Sequence, residues 1–96
     1  MSTVSFSPKS RQDLLDIGDF IASDRKENAR RFVAQLIDQC KRIGISPLGY
    51  ASRDDLSAGL RMAPIGRYII FFRINSNKVR IERVLHGARD LRILGR

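Results

Sequence analysis

Apolar side chains along this 96-residue chain change their spacing twice, and each change marks a different kind of element. Thr3–Ser7 alternates, with Val4 and Phe6 on one side, and predicts a short strand. Ser7-Pro8 then opens a helix, since serine caps free N–H groups and proline in the first turn forfeits no useful donor. Leu14, Ile17 and Ile21, with Leu15 and Phe20 alongside, recur at helical spacing to about Ser23. Gly18 costs about 1 kcal/mol relative to alanine inside that helix, and reads as a point of close approach to a second one. Asp24-Arg25-Lys26-Glu27 has the spacing of a capping box. Ala29, Phe32, Val33, Leu36, Ile37, Cys40 and Ile43 trace one continuous helical stripe, ended by Gly44 and Pro47. Two similar helices joined by so short a turn form an antiparallel hairpin.

Leu48–Ala58 is irregular and polar. From Gly59 the texture becomes that of strands: Leu60–Ala63, a turn at Pro64–Arg67, Tyr68–Ile74, a turn at Asn75–Lys78, and Val79–Leu85, which Gly87 stops. Pro64, lacking an N–H, belongs at a strand end. Strands segregated from a helix pair define an α+β domain. The expected architecture is an N-terminal strand, an antiparallel two-helix hairpin and a three-stranded antiparallel meander, with residues 1–96 as one domain. The hairpin covers one sheet face. Ile69–Phe72 offers apolar side chains to both faces, so a partner chain is one candidate to cover the second. Either Ile69 and Phe71 or the alternate pair Ile70 and Phe72 faces that partner.

Composition narrows the function. Eighteen basic against ten acidic residues give a net charge of +8. The excess lies in the C-terminal half, and arginine dominates it. Arginine's planar fork suits two-point contact with carboxylates and phosphates, so an acidic partner is expected, either nucleic acid or an acidic protein segment. The longest unbroken apolar run is Tyr68–Phe72, far short of the roughly 20 residues of a membrane helix. The acidic, discontinuous N-terminus does not read as a signal peptide. A single cysteine and a single histidine build neither an internal disulfide nor a Cys/His zinc site. The reading is a cytoplasmic protein without metal or cofactor.

Cys40 falls within the apolar stripe and reads as a buried structural thiol. The remaining chemistry gathers on the last strand and its exit: Arg80, Glu82, Arg83, His86, Arg89 and Asp90. Metal-free RNA cleavage needs a base, an acid and cations on the in-flight phosphate. Here His86 and Glu82 or Asp90 would be the proton-transfer groups, because arginine's pKa is too high for that task. Arg61, Arg67, Arg73, Arg80 and Arg83 form a candidate phosphate-binding face.

The segment Gly59-Leu60-Arg61, then Pro64–Arg73, then Val79 and Ile81, ending Arg83-Val84-Leu85-His86-Gly87-Ala88-Arg89-Asp90-Leu91, closely resembles ParE toxins of the RelE/ParE superfamily. The opening Ser7–Ile17 fits the same family. The resemblance implies a toxin of a bacterial type II toxin–antitoxin pair. Such toxins inhibit DNA gyrase and block replication, and a ParD-like antitoxin neutralises them through an acidic, partly disordered segment. It implies an inhibitor with no catalytic residues, and DNA contact only through antitoxin or gyrase. On this reading Arg83, His86, Arg89 and Asp90 meet the target, with His86 and Asp90 fixing the C-terminal turn. Arg61, Arg73, Ile69 and Phe71 meet the antitoxin. Charge reversal of Arg83 or Arg89 is expected to abolish toxicity with the fold intact. The alternative is a RelE-like ribosome-dependent mRNA endonuclease using His86, Glu82, Arg61 and Arg83. That branch generally carries a Tyr, His or Glu near the C-terminus, and here no tyrosine follows His86. A second alternative is a basic nucleic-acid-binding module, with Arg30, Arg31, Lys41 and Arg42 on the second helix.

Overall fold

The computed structural model describes residues 2–93. Strand β1 (Thr3–Phe6) leads into helix α1 (Pro8–Ala22) and helix α2 (Lys26–Ile45), then short strand β2 (Ala51–Ser52) and strands β3 (Arg61–Ile65), β4 (Tyr68–Asn75) and β5 (Lys78–His86). The sheet order is β1-β5-β4-β3-β2. β1 runs parallel to β5, while β2, β3, β4 and β5 pair antiparallel in succession. The α+β class and the helical hairpin agree with the sequence pattern; the result is a five-stranded mixed sheet.

Several local expectations are corrected. β2 lies inside a stretch that carries no strand pattern, and it pairs only with Arg61 and Met62. Pro64 sits next to the end of β3, beyond the reach of β2. Asp24 does not cap α2: the N-cap position is Arg25, with no side-chain cap. The backbone N–H groups of both Asp24 and Arg25 donate to Ile21 O, so the turn is spent closing α1 rather than opening α2. Leu15 and Phe20 lie off the buried stripe, 62% and 61% exposed. Gly18 leaves room for a Cβ at ordinary contact with Val33. The close approach is at Gly44 instead, where a Cβ would collide with the Val4 side chain of β1. There Ser2 N–H donates to Gly44 O at 2.8 Å, fastening β1 across α2.

Ser7 behaves as its position before Pro8 predicts. Its Oγ accepts from Ser10 N–H at 3.0 Å and donates to Glu82 O at 2.7 Å, so one buried hydroxyl caps α1 and holds it to β5. The main core lies between hairpin and sheet, where Ile17, Leu36, Cys40 and Ile43 pack on Ile70, Phe72, Val79 and Ile81. A smaller cluster of Leu60, Phe71 and Leu85 occupies the other face. No helix among the described residues is long and apolar enough to cross a membrane.

Candidate functional site

The site is organised by an irregularity in β5. Phe72 pairs with Ile81 but Phe71 pairs with Arg83, leaving Glu82 as an extra residue. An inserted residue exchanges the faces of everything beyond it. Val79 and Ile81 thus join the helix-side core before the bulge, and Val84 joins it after. The bulge frees backbone groups, and two side chains of the first helical turns take them up. Ser7 Oγ donates to the Glu82 carbonyl, and Asp13 Oδ2 accepts from Val84 N–H at 2.9 Å.

Asp13 also receives Arg83 in two-point contact, Nε to Oδ2 at 2.8 Å and Nη2 to Oδ1 at 2.9 Å. The side chains are 18% exposed for Arg83 and 10% for Asp13. Hydrogen bonding to Asp13, more than burial opposes it, raises the Arg83 pKa further above its ordinary value. Arg83 is therefore held inside the fold, and reversing its charge would set two carboxylates against each other in a confined site. The expectation that this substitution spares the fold is corrected.

The chain turns sharply after β5. His86 N–H donates to Asp90 Oδ2 at 3.0 Å, while Asp90 N–H returns to His86 O at 2.8 Å. Arg89 N–H is shared between His86 O and Nδ1. The ring packs edge-on against Tyr68, centroids 5.3 Å apart, and Tyr68 is itself buried. Arg89, exposed, sits over the exposed Phe20 ring at 5.3 Å. A cavity of about 380 Å³ opens between this turn and α1, lined among others by Phe20, Tyr68, Arg83, Arg89 and Asp90.

The other predicted residues lie elsewhere on the sheet. Arg61 Nη1 donates to Tyr50 O at 2.8 Å. Arg73 donates to Ala58 O at 3.4 Å and to Ser57 Oγ. Arg73 thus holds the connection between β2 and β3 against the sheet, while Arg61 holds the backbone just before β2. That connection is latched within itself by Arg53 on Asp55 and by Asp54 accepting from Gly59 N–H at 2.8 Å. The Gly59 N–H and Ser52 hydroxyl hold the Asp54 carboxyl below the usual range. Leu56 and Leu60 of the connection cover Phe71, which has no exposed surface. Phe71 therefore cannot touch a partner while the connection is closed; Ile69, half-buried at its margin, can. Ile70 and Phe72 face the hairpin.

Glu82 lies 3.5 Å from both Arg73 and Arg80, facing a different cavity from the one beside Tyr68. The structure thus brings His86, Arg89 and Asp90 together, ties Arg83 to Asp13, and sets Arg61 and Arg73 apart from them. Sequence reasoning missed Asp13, and of Ser7 it found the cap but not the bond to Glu82 O. The available signal was position: Ser10, Asp13, Ile17 and Ile21 share one helical stripe, and a carboxylate there needs a buried cation. Among the described residues no group of three or more His, Cys, Asp or Glu side chains is placed to hold a metal ion.

Against known proteins, no curated protein matches the chain. Several solved structures resemble it, among them two of toxin–antitoxin systems. A toxin–antitoxin structure described as the chromosomal ParDE system from P. aeruginosa aligns with TM-score 0.80 and 21% identity over 90% of this chain and 96% of that one. The toxin–antitoxin complex RelBE2 from Mycobacterium tuberculosis aligns with TM-score 0.67 and 25% identity over 88% and 96%. The first likeness shows the fold. A family model described as ParE toxin of type II toxin-antitoxin system, parDE, matches residues 4–91. Matched over nearly its whole length, the chain belongs to the ParE toxin family of the RelE/ParE type II toxin–antitoxin superfamily.

Proposed function

We propose that this toxin acts by inhibiting DNA gyrase, so blocking replication, and that a ParD-like antitoxin with an acidic segment neutralises it. The observation that carries an inhibitor over a nuclease is separation: Glu82 lines a different cavity from Asp90, so the candidate acid and base do not converge on one substrate position. His86 Nδ1 accepts a backbone N–H, and Asp90 holds the His86 N–H. Glu82 faces two arginines, and Arg83 is committed to Asp13. With that separation, these contacts favour a shaped surface over a proton-transfer site. The surface they shape is the C-terminal turn with Phe20 and Arg89, an exposed aromatic–cation pair of the kind that anchors protein contacts. His86 and Asp90 hold its backbone. Arg61 and Arg73 meet the antitoxin beside Ile69, while Phe71 supports that face from beneath.

The likeness to the RelBE2 complex keeps mRNA cleavage as the second reading. Pulse-labelling of DNA and protein synthesis minutes after induction without antitoxin separates the two. DNA synthesis should fall first, and purified toxin should block gyrase supercoiling, with Arg89→Glu losing both effects while remaining folded. Early loss of translation, with ribosome-dependent mRNA cleavage lost in His86→Ala, would overturn the gyrase reading.

A further inference from the structure

The face of β4 and β5 beside the bulge carries an arrangement that the target surface does not use. Arg73 and Arg80 stand directly opposite each other across the β4–β5 ladder, where like charges destabilise pairing. Glu82 reaches both, one carboxylate oxygen toward each guanidinium, at 3.5 Å in each case. A well-formed charge-assisted hydrogen bond runs to about 2.7–2.9 Å, so the carboxylate bridges the pair loosely. Lys9, exposed in the first turn of α1, completes the rim of a cavity of about 520 Å³. Because Asp13 neutralises Arg83, three cations face a single carboxylate there.

We infer that this cavity binds a nucleic-acid phosphodiester, with Glu82 as its internal occupant in the free protein. The two Glu82 oxygens stand where two non-bridging phosphate oxygens would lie. Binding turns Glu82 outward to solvent, to which its side chain is already 24% exposed. Arg73 is pre-set for this because Ser57 and Ala58 hold its other donors.

The lining favours phosphate over a protein segment. Apart from Pro8 and Ile93 it is polar or charged, and it holds none of the aromatic anchors common at protein contacts. The molecule's apolar groove lies elsewhere, between α1 and α2, lined by Leu14, Leu15, Val33 and Ile37. A phosphate backbone needs only placed cations and carries no sequence information. The site stands apart from the gyrase reading, because toxin and DNA alone test it.

The test is anisotropy of a fluorescent DNA duplex of arbitrary sequence, titrated with the full chain over a series of salt concentrations. Arg80→Gln and Lys9→Gln, both on exposed side chains, should weaken binding and lower the log–log salt slope by about 0.9 for each phosphate no longer neutralised. Glu82→Gln should tighten binding by up to about fivefold, the most that releasing one partly exposed ion pair gives. Unchanged slopes in both cation variants would overturn the site, and so would an unaltered affinity in Glu82→Gln. If Glu82→Gln strengthens binding of an oligo-glutamate peptide but not of DNA, the cavity belongs to an acidic protein segment and the phosphodiester assignment fails.

Discussion

Phe71 and Phe72 are neighbours in the chain and equally buried, yet they are buried by different kinds of structure. Phe72 points at the hairpin and packs with side chains from both helices and three strands. Phe71 points the other way and is covered by Leu56 and Leu60 of the β2–β3 connection, with Leu85 beside it. The first cover is apolar and comes from distant parts of the chain. The second is a flap latched within itself by Arg53 on Asp55 and Asp54 on Gly59, and fastened to the sheet by Arg73 on Ser57. Arginine excess on that side thus has two uses. Arg73 fastens the flap while keeping one donor toward Glu82, and Lys9, Arg80 and Arg89 are exposed to meet other molecules.

The largest effects test the difference directly. Phe72→Ala should cost about 4 kcal/mol, because two helices seated on a sheet cannot close the cavity. Phe71→Ala should cost about 3 kcal/mol or less, since the flap can settle inward and reduce the void on which the penalty depends. Urea denaturation with a common m-value measures both. Equal costs would break the comparison and mean that the flap is as rigid as the hairpin.

Next in size is the contact that joins α1 to the bulge. Asp13→Ala should cost about 3 kcal/mol, the low end for removing one partner of a buried pair, because Arg83 and Val84 N–H are both left unsatisfied. Arg83→Met should cost less, since Asp13 keeps the Val84 N–H. A double-mutant cycle between the two reads the coupling. A coupling near zero would show that the Ser7 contact, and not Asp13 with Arg83, joins α1 to the bulge.

This contact also marks where the sequence stopped being legible. Helical stripes are local, so Leu36, Cys40 and Ile43 could be assigned to a core from spacing alone, and β4 declared itself by its β-branched and aromatic run. Three features were not local. The parallel pairing of β1 with β5 depends on how the chain returns from its far end. Two-residue β2 is too short to carry a pattern. The bulge at Glu82 shows in the sequence only as the polar doublet Glu82-Arg83, which shifts the apolar positions from Val79 and Ile81 to Val84 and was not read as a bulge. Missing the bulge meant missing Asp13, whose acceptors are needed only because the ladder is interrupted. It also left Arg83 looking like a free surface charge. Residues whose role is local, such as Ser7 before Pro8, were placed correctly.

The smallest predicted effect separates the two covers by solvent access. Cys40 has no exposed surface, and burial pushes its thiol from 9.0 up to about 12. The unfolded chain therefore ionises first. The contribution of Cys40 to stability is complete below pH 9.0 and is lost as pH rises toward 12, by about 1.4 kcal/mol per pH unit. Cys40→Ala should remove that part of the alkaline slope. Thiol labelling at neutral pH then compares the faces. Native Cys40 should react only through global opening, at a rate that tracks unfolding free energy across denaturant. Leu60→Cys in a Cys40→Ala chain places the thiol on the buried inner side of the flap. It should react faster, with a weaker dependence on denaturant, because releasing a few polar latches exposes it without separating hairpin from sheet. If both thiols label with the same denaturant dependence, flap and hairpin open as one unit, and Phe71 reaches a partner only when the whole fold gives way.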